Sequence, residues 1–183
     1  MEARKLLDAL LVAERLKDVP RHCYISGGRR ESVAEHCWRV SLMAYLLRDE
    51  FPEADMDKVI RMCLIHDLGE AFTGDIPTFE KTSADEAAAL EAWVCSLPEP
   101  FAAEMAELYR EMEERQTVEA KIYKALDGLE ALIQHNESDL STWLPLEYDL
   151  QKEYAHDRVE FSPYLKGLRQ EVLQDTLKKI GEV

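Results

Sequence analysis

The chain contains no stretch approaching the ~18 unbroken apolar residues of a membrane-spanning helix, so no such helix is expected. It contains no C-x-x-C pair either. Cys23, Cys37, Cys63 and Cys95 are scattered, several of them among apolar residues as buried free thiols are, which predicts reduced cysteines and a cytoplasmic location. Strict alternation of apolar and polar residues, internal repeats and low-complexity linkers are all missing. Positive charge is scarce: 22 Lys+Arg stand against 37 Asp+Glu, a formal net charge of -15 that repels a polyphosphate backbone. A nucleic-acid polymer is therefore not an expected partner. A small anion remains compatible, because one metal ion or a few arginines set the sign of the field inside a pocket.

What is present is a chain of 183 residues, 46% of them hydrophobic, enough for one globular domain over 1–183 with a sizeable core. Apolar residues recur at helical spacing, as in Leu6, Leu7, Leu10, Leu11 and in Val40, Met43, Ala44, Leu47, so the fold class is all-α. The N-terminal stretch threads charges through its leucines and reads as an amphipathic helix, not a signal peptide.

Start and stop signals divide the chain. A first helix runs from about Ala3 to Lys17 and ends before Pro20, followed by a Gly- and Arg-rich loop from Arg21 to Glu31. Ser32 and Glu35 form a capping box that opens a second helix running to about Phe51 and puts His36 in its first turn. A third helix is expected from Asp55 to Phe72, stopped by Thr73-Gly74-Asp75-Ile76-Pro77. Ser83 and Glu86 make a second capping box for a helix ending at Leu97-Pro98. Further helices are expected over Glu99 to Arg115, Thr117 to Glu137 and Leu144 to His156, and from the Ser162-Pro163 start to Ile180.

Chemistry concentrates in Cys63 to Thr78, CLIHDLGEAFTGDIPT. On a continuous helix His66 and Glu70 would share a face, as would Asp67 and Glu70, behind the apolar turn Met62 to Ile65. Buried carboxylates are costly unless paired or bound to a metal, and two acids at a helix C-terminus oppose its dipole. His36 and Asp127, on other helices, each have a plain structural reading, as a core histidine and as a partner of Lys124. Taken together, His36, His66, Asp67 and Asp127 supply two imidazoles and two carboxylates. That mix suits one divalent ion, Mn, Co, Zn, Fe or Mg, with positions left open for water and substrate.

The order H, HD, D resembles the HD-domain metal-dependent phosphohydrolases, helical bundles that hold metal through this set. Four words narrow it: Glu31-Ser32-Val33-Ala34-Glu35-His36, His66-Asp67-x-x-Glu70, Thr73-Gly74-Asp75-Ile76-Pro77-Thr78 and Lys124-Ala125-Leu126-Asp127. They are similar to the 5′-deoxynucleotidase branch, which hydrolyses deoxynucleoside 5′-monophosphates, over roughly residues 5 to 170. The resemblance implies metal ligation by His36, His66, Asp67 and Asp127, and proton transfer by Glu70 with Asp75. It further implies a nucleotide site of Asp75, Ile76, Pro77 and Thr78, phosphate contact by Arg21, and a homodimer. Much of the branch has tryptophan directly after that arginine; here His22 stands there, and Tyr24, at a position some relatives fill with tryptophan, is a candidate substitute. The sugar preference is accordingly open. The competing readings are an HD hydrolase of cyclic nucleotides, nucleoside triphosphates or guanosine tetraphosphate, a di-iron oxygenase needing more histidines, and a non-catalytic nucleotide-binding protein.

Overall fold

The computed structural model describes residues 1–75 and 84–181, excluding the side chains of residues 84 and 85. Helix α1 (Ala3–Glu14) continues into a 3-10 turn, Arg15–Lys17. Strands β1 (Pro20–Tyr24) and β2 (Arg30–Ser32) follow, then α2 (Val33–Leu46), α3 (Met56–Ile65) and the short α4 (Glu70–Thr73). Helices α5 (Ala84–Ser96), α6 (Phe101–Glu114) and α7 (Val118–Glu137) come next, then α8 (Glu147–Glu153), α9 (His156–Val159) and α10 (Pro163–Ile180). The architecture is helical, as expected, and among the described residues no helix is long and apolar enough to cross a membrane.

Local chemistry accounts for most of the helix starts. Ser32 accepts the Glu35 N–H at 3.3 Å while Glu35 accepts the Ser32 N–H at 2.9 Å, completing the capping box. Asp55, Thr117 and Ser162 cap α3, α7 and α10 by accepting the backbone N–H of Lys58, Ala120 and Leu165, with Pro163 at the first position of α10.

Helix α7 is the axis of the fold. It packs against α2, α3, α6, α9, α10 and β1, and buries residues on several sides, including Ile122, Leu126 and Leu129 at 0% exposure. Val33 and Val40 of α2 and Val59, Met62 and Cys63 of α3 meet it in one core, all likewise fully buried. Gly128 lets α9 approach closely: a β-carbon there would lie 3.1 Å from the Ala155 β-carbon and 3.0 Å from Arg158 Nη1.

Three expectations are corrected. The loop from Arg21 to Glu31 is an antiparallel hairpin, with Pro20 opposite Ser32 and Tyr24 opposite Arg30. Its register shifts between those pairs, which breaks the alternation by which a strand is recognised, and Gly28 takes φ +84° in the turn. The helix expected over Asp55 to Phe72 is interrupted at His66 to Gly69. There the bonds become i to i−3, Leu68 to Ile65, Glu70 to Asp67 and Ala71 to Leu68, so the chain tightens and His66 leaves the helical register of Glu70. The helix expected over Leu144 to His156 is two pieces, α8 and α9, divided at Ala155 with φ 63°. The second capping box begins at Ser83, outside the described residues.

Two consequences of the α2 cap are measurable. Ser32→Ala should destabilise the protein by about 1 kcal/mol in urea unfolding. Glu35, held by Arg29 and by Ser32, has a pKa lowered to about 2 from 4.5. Its stabilising contribution is therefore complete above pH 4.5 and lost as pH falls toward 2, and Glu35→Gln should flatten that part of the stability profile.

Candidate active site

Four donor atoms from three parts of the chain converge. His36 lies in the first turn of α2, His66 and Asp67 in the tightened turn after α3, and Asp127 in the middle of α7. The two Nε2 atoms of His36 and His66 are 3.3 Å apart. Asp127 Oδ1 is 3.2 Å from His36 Nε2 and 3.6 Å from His66 Nε2, while Asp67 Oδ2 is 3.1 Å from His66 Nε2 and 3.7 Å from His36 Nε2.

Each ring is held by its other nitrogen. The His66 Nδ1–H donates to the Cys63 carbonyl at 2.8 Å, and the His36 Nδ1–H donates to Glu130 Oε2 at 2.5 Å, an assignment that follows from acceptors with no proton of their own to give. Both Nε2 lone pairs then face the carboxylate oxygens. Such a gathering of acceptors is repulsive until a cation enters it. Donors bound at about 2.1 Å to one ion stand about 3.0 Å apart in octahedral and about 3.4 Å apart in tetrahedral geometry. The observed 3.1 to 3.7 Å spacings fit a divalent ion.

The electrostatics agree. Burial opposes charge on His66, yet the Asp67 carboxylate and hydrogen bonds to Asp127 and Asp67 raise its pKa well above the usual value. Burial likewise opposes charge on Asp127, but Lys124, with Nζ 2.7 Å from Oδ2, and the two histidines hold it well below the carboxylate range. Without a metal the cluster favours protonated imidazoles, the cation nearest to hand.

Other elements steady the cluster. The Tyr109 hydroxyl of α6 donates to the Ile65 carbonyl at 2.6 Å, pinning the end of α3 just before His66. Glu130, fully buried three residues after Asp127, holds His36 and lies 3.7 Å from both Arg21 Nη1 and Arg39 Nε. Arg21 Nε is also 3.6 Å from Glu31 Oε2. Burial pushes the Cys23 thiol up to about 12, so it reaches Glu31 as a neutral S–H donor at 3.6 Å. Glu31, His36 and Glu130 are themselves close enough to hold an ion. Arg21 already supplies positive charge there and the His36 Nδ1 proton is engaged, so this group reads as support for the cluster.

Arg21 deserves its place in the site for another reason: its guanidinium has two ion pairs but no hydrogen bond, and Nη1 is buried without an acceptor. It lines a cavity of about 360 Å³ together with His22, Asp75, His135, Glu147 and Tyr154. The four clustered ligands do not line that cavity; Arg21 is the side chain that joins its wall to the Glu130–His36 pair.

The remaining expected site residues are distributed as follows. Glu70 is buried at the start of α4, 4% exposed, and Asp75 is half-buried at the cavity wall. Tyr24 is not at the cavity; Arg30 lies 5.6 Å over its ring. Ile76, Pro77 and Thr78 lie outside the described residues. Arg29 forms a two-pronged pair with Glu35 at 2.9 and 2.5 Å, away from the cluster. Glu31, Lys124 and Glu130 were not singled out from sequence as site residues. Glu130 had a signal, the i,i+3 spacing from Asp127 that puts both on one face of α7.

Comparison with known proteins places this geometry. Residues 13–168 match the family described as HD domain. The human protein named 5′-deoxynucleotidase HDDC2 is 36% identical over 143 residues, 74% of this chain and 69% of that protein. The Schizosaccharomyces pombe protein named 5′-deoxynucleotidase hdd1 is 28% identical over 172 residues, 88% of this chain and 85% of that one. Among solved structures, a predicted metal-dependent phosphohydrolase from Magnetospirillum magnetotacticum MS-1 superposes with a TM-score of 0.82 at 28% identity, covering 96% of this chain and 93% of the other.

A cluster built for a divalent ion should report it in stability. Adding Mn to EDTA-treated protein at 100 times its dissociation constant is expected to stabilise the fold by about 2.7 kcal/mol. At about 2–4 °C per kcal/mol that raises Tm by about 5–11 °C. Asp127→Ala should abolish the shift, and Glu130→Gln should weaken Mn affinity about 10- to 100-fold.

Proposed function

This chain belongs to the HD domain family, and from that membership we propose that it is a metal-dependent 5′-deoxynucleotidase, removing phosphate from deoxynucleoside 5′-monophosphates. The reading takes residues 1–183 as one HD domain. The observation that carries it is the pairing of a metal-competent His and Asp cluster with an arginine whose hydrogen-bond donors are unspent at a cavity wall. A divalent ion held by that cluster would supply charge stabilisation at phosphorus, and a guanidinium with free donors would add to it.

In this reading His36, His66, Asp67 and Asp127 hold one divalent ion, of which Mn, Co, Zn, Fe and Mg all suit the donor set. Such an ion lowers the pKa of a coordinated water and polarises a phosphoryl oxygen. Arg21 binds the phosphate oxygens with its paired N–H groups, a fit that lysine does not reproduce. Its flanking carboxylates, Glu31 and Glu130, keep the guanidinium aimed without taking its hydrogen bonds. Glu70 takes the proton released as water adds to phosphorus. As the bond from phosphorus to the 5′-oxygen breaks, the proton taken by Glu70 is returned, with Asp75 assisting, to that oxygen. The partners are small-molecule nucleotides, not nucleic-acid polymers, and the location is cytoplasmic.

A homodimer is part of the same reading. Helix α1 buries none of its side chains: Leu6, Leu7, Leu10 and Leu11 are 46% to 64% exposed. Helix α2 adds Trp38, Leu42, Tyr45 and Leu46 on its outer side, and an apolar area of this kind on a soluble chain marks an interaction face.

Asp67→Ala should abolish phosphate release from dAMP in the presence of Mn; full activity in the purified variant would defeat the site assignment. Arg21→Lys should lower kcat/KM by about 10- to 1000-fold, because a two-pronged contact becomes a point charge. Light scattering should give about twice the 21.1 kDa chain mass, and the double variant Leu7→Glu, Leu11→Glu should return it to one chain.

A further inference from the structure

A polar group at the cavity stands apart from the His and Asp cluster and has no task in the chemistry above. Helix α7 supplies a ruler. Asp127 is at the cluster, Leu132 and His135 line the cavity, and His135 lies eight residues beyond Asp127, about 12 Å along the axis. That separation is comparable to the span of a nucleotide from phosphorus to the far edge of its base. Arg21 lines the same cavity as His135 and the α8 residues Glu147, Leu150 and Gln151, so a nucleotide whose phosphate met Arg21 would have its base on that side.

The groups at this position are arranged with care for their hydrogen bonds. Glu147, 5% exposed, has Oε1 2.9 Å from His22 Nε2 and accepts from the Leu144 N–H at 2.6 Å through Oε2. A carboxylate has about four lone-pair sites, so roughly half its accepting capacity remains. Gln151 spends its amide N–H groups on the Leu132 carbonyl at 2.7 Å and Asn136 Oδ1 at 3.2 Å, which leaves its oxygen as an acceptor. His135 is 8% exposed, its ring 4.3 Å from that of Trp143, and its Nε2, 3.5 Å from Glu147 Oε2, is buried without a hydrogen bond. Burial keeps this imidazole below its ordinary pKa and hence neutral near pH 7.

This end of the cavity is rich in acceptors and carries a formal negative charge. Thymine and uracil would offer it one imide N3–H flanked by two carbonyl oxygens that the carboxylate repels, whereas adenine, cytosine and guanine present two N–H donors on an exocyclic amine. Resting on the nucleotidase reading, we propose that Glu147, positioned by His22 and joined by His135 and Gln151, is a base-reading group that selects nucleotides with an exocyclic amino group.

The test is kcat/KM for phosphate release from dAMP, dCMP, dGMP, dTMP and dUMP with Mn, for the wild type and for Glu147→Gln. Calorimetric binding of deoxyadenosine and thymidine runs alongside. The wild type should favour the three amino-bearing substrates by at least about tenfold, in line with the worth of a good base contact. Glu147→Gln, whose amide can donate to a carbonyl, should bring the ratio within about threefold while circular dichroism stays unchanged. If that variant does not fold, His22→Ala, at a partly exposed position, is expected to narrow the same ratio. Equal kcat/KM across all five substrates, or a ratio unmoved in a folded variant, overturns the proposal. If no monophosphate is hydrolysed, the phosphohydrolase reading fails, and the ratio of deoxyadenosine to thymidine binding alone supports or overturns base reading.

Discussion

A carboxylate with no solvent exposure sits at the middle of the longest helix, and the rest of the site is arranged around keeping it there. Glu130 forfeits hydration on entering the core, a penalty of several kcal/mol for an ion that is not compensated. The compensation comes from three directions: the His36 Nδ1–H at 2.5 Å, Arg21 from β1 and Arg39 from α2. Each of those partners is thereby fixed. His36 must present Nε2 toward Asp127, Arg21 must lie under the cavity wall, and α2 must stay in register with α7. One buried charge thus couples the orientation of a metal-competent imidazole to that of a phosphate-competent guanidinium.

The same bookkeeping explains how a protein with a formal charge of -15 presents a site for an anion. Overall charge acts over the Debye length, roughly 8 Å in physiological salt, whereas the cavity wall is governed by groups within a few ångströms. Arg21 lies at that range, and Lys124 adds a second cation beside the neighbouring cluster, 2.7 Å from Asp127. Glu31 and Glu130 do not undo this, because each has a cation beside it. The net acidic charge acts on a long polyanion as repulsion, while a small anion meets the local field of the cavity wall.

How much of this could be read from residues alone follows from the range of each interaction. The caps of α2, α3, α7 and α10 involve neighbours within three residues, so Ser32, Asp55, Thr117 and Ser162 were legible. That His36, His66, Asp67 and Asp127 meet in the fold was legible because a metal-binding set would call for particular side chains in a particular order, whatever lies between. The turn at His66 to Gly69 was not, since Leu68 and Gly69 give no stop signal strong enough to distinguish i to i−3 from i to i−4 bonding. Nor was the hairpin, whose three-residue second strand ends in the residue that caps α2. Glu130 shows the general difficulty: a glutamate between Leu129 and Ala131 on an amphipathic helix is ordinarily solvated, and only the approach of β1 and α2 makes it central.

The interruption after α3 also has a structural consequence for chemistry. A continuous α-helix would advance 100° per residue and carry His66 and Glu70 past each other on one face, with Asp67 turned toward its flank. With three residues per turn, Asp67 and Glu70 instead lie one above the other. Asp67 shares the cluster with His66, with its Oδ2 3.1 Å from His66 Nε2, while Glu70 is buried one turn on. Tyr109 holds the Ile65 carbonyl at the start of this segment, so the tightening begins at a fixed point. His66 itself keeps helical dihedrals, φ −58° and ψ −36°, so the departure from the helix that sequence periodicity predicts lies in the i to i−3 bonds that begin at Leu68.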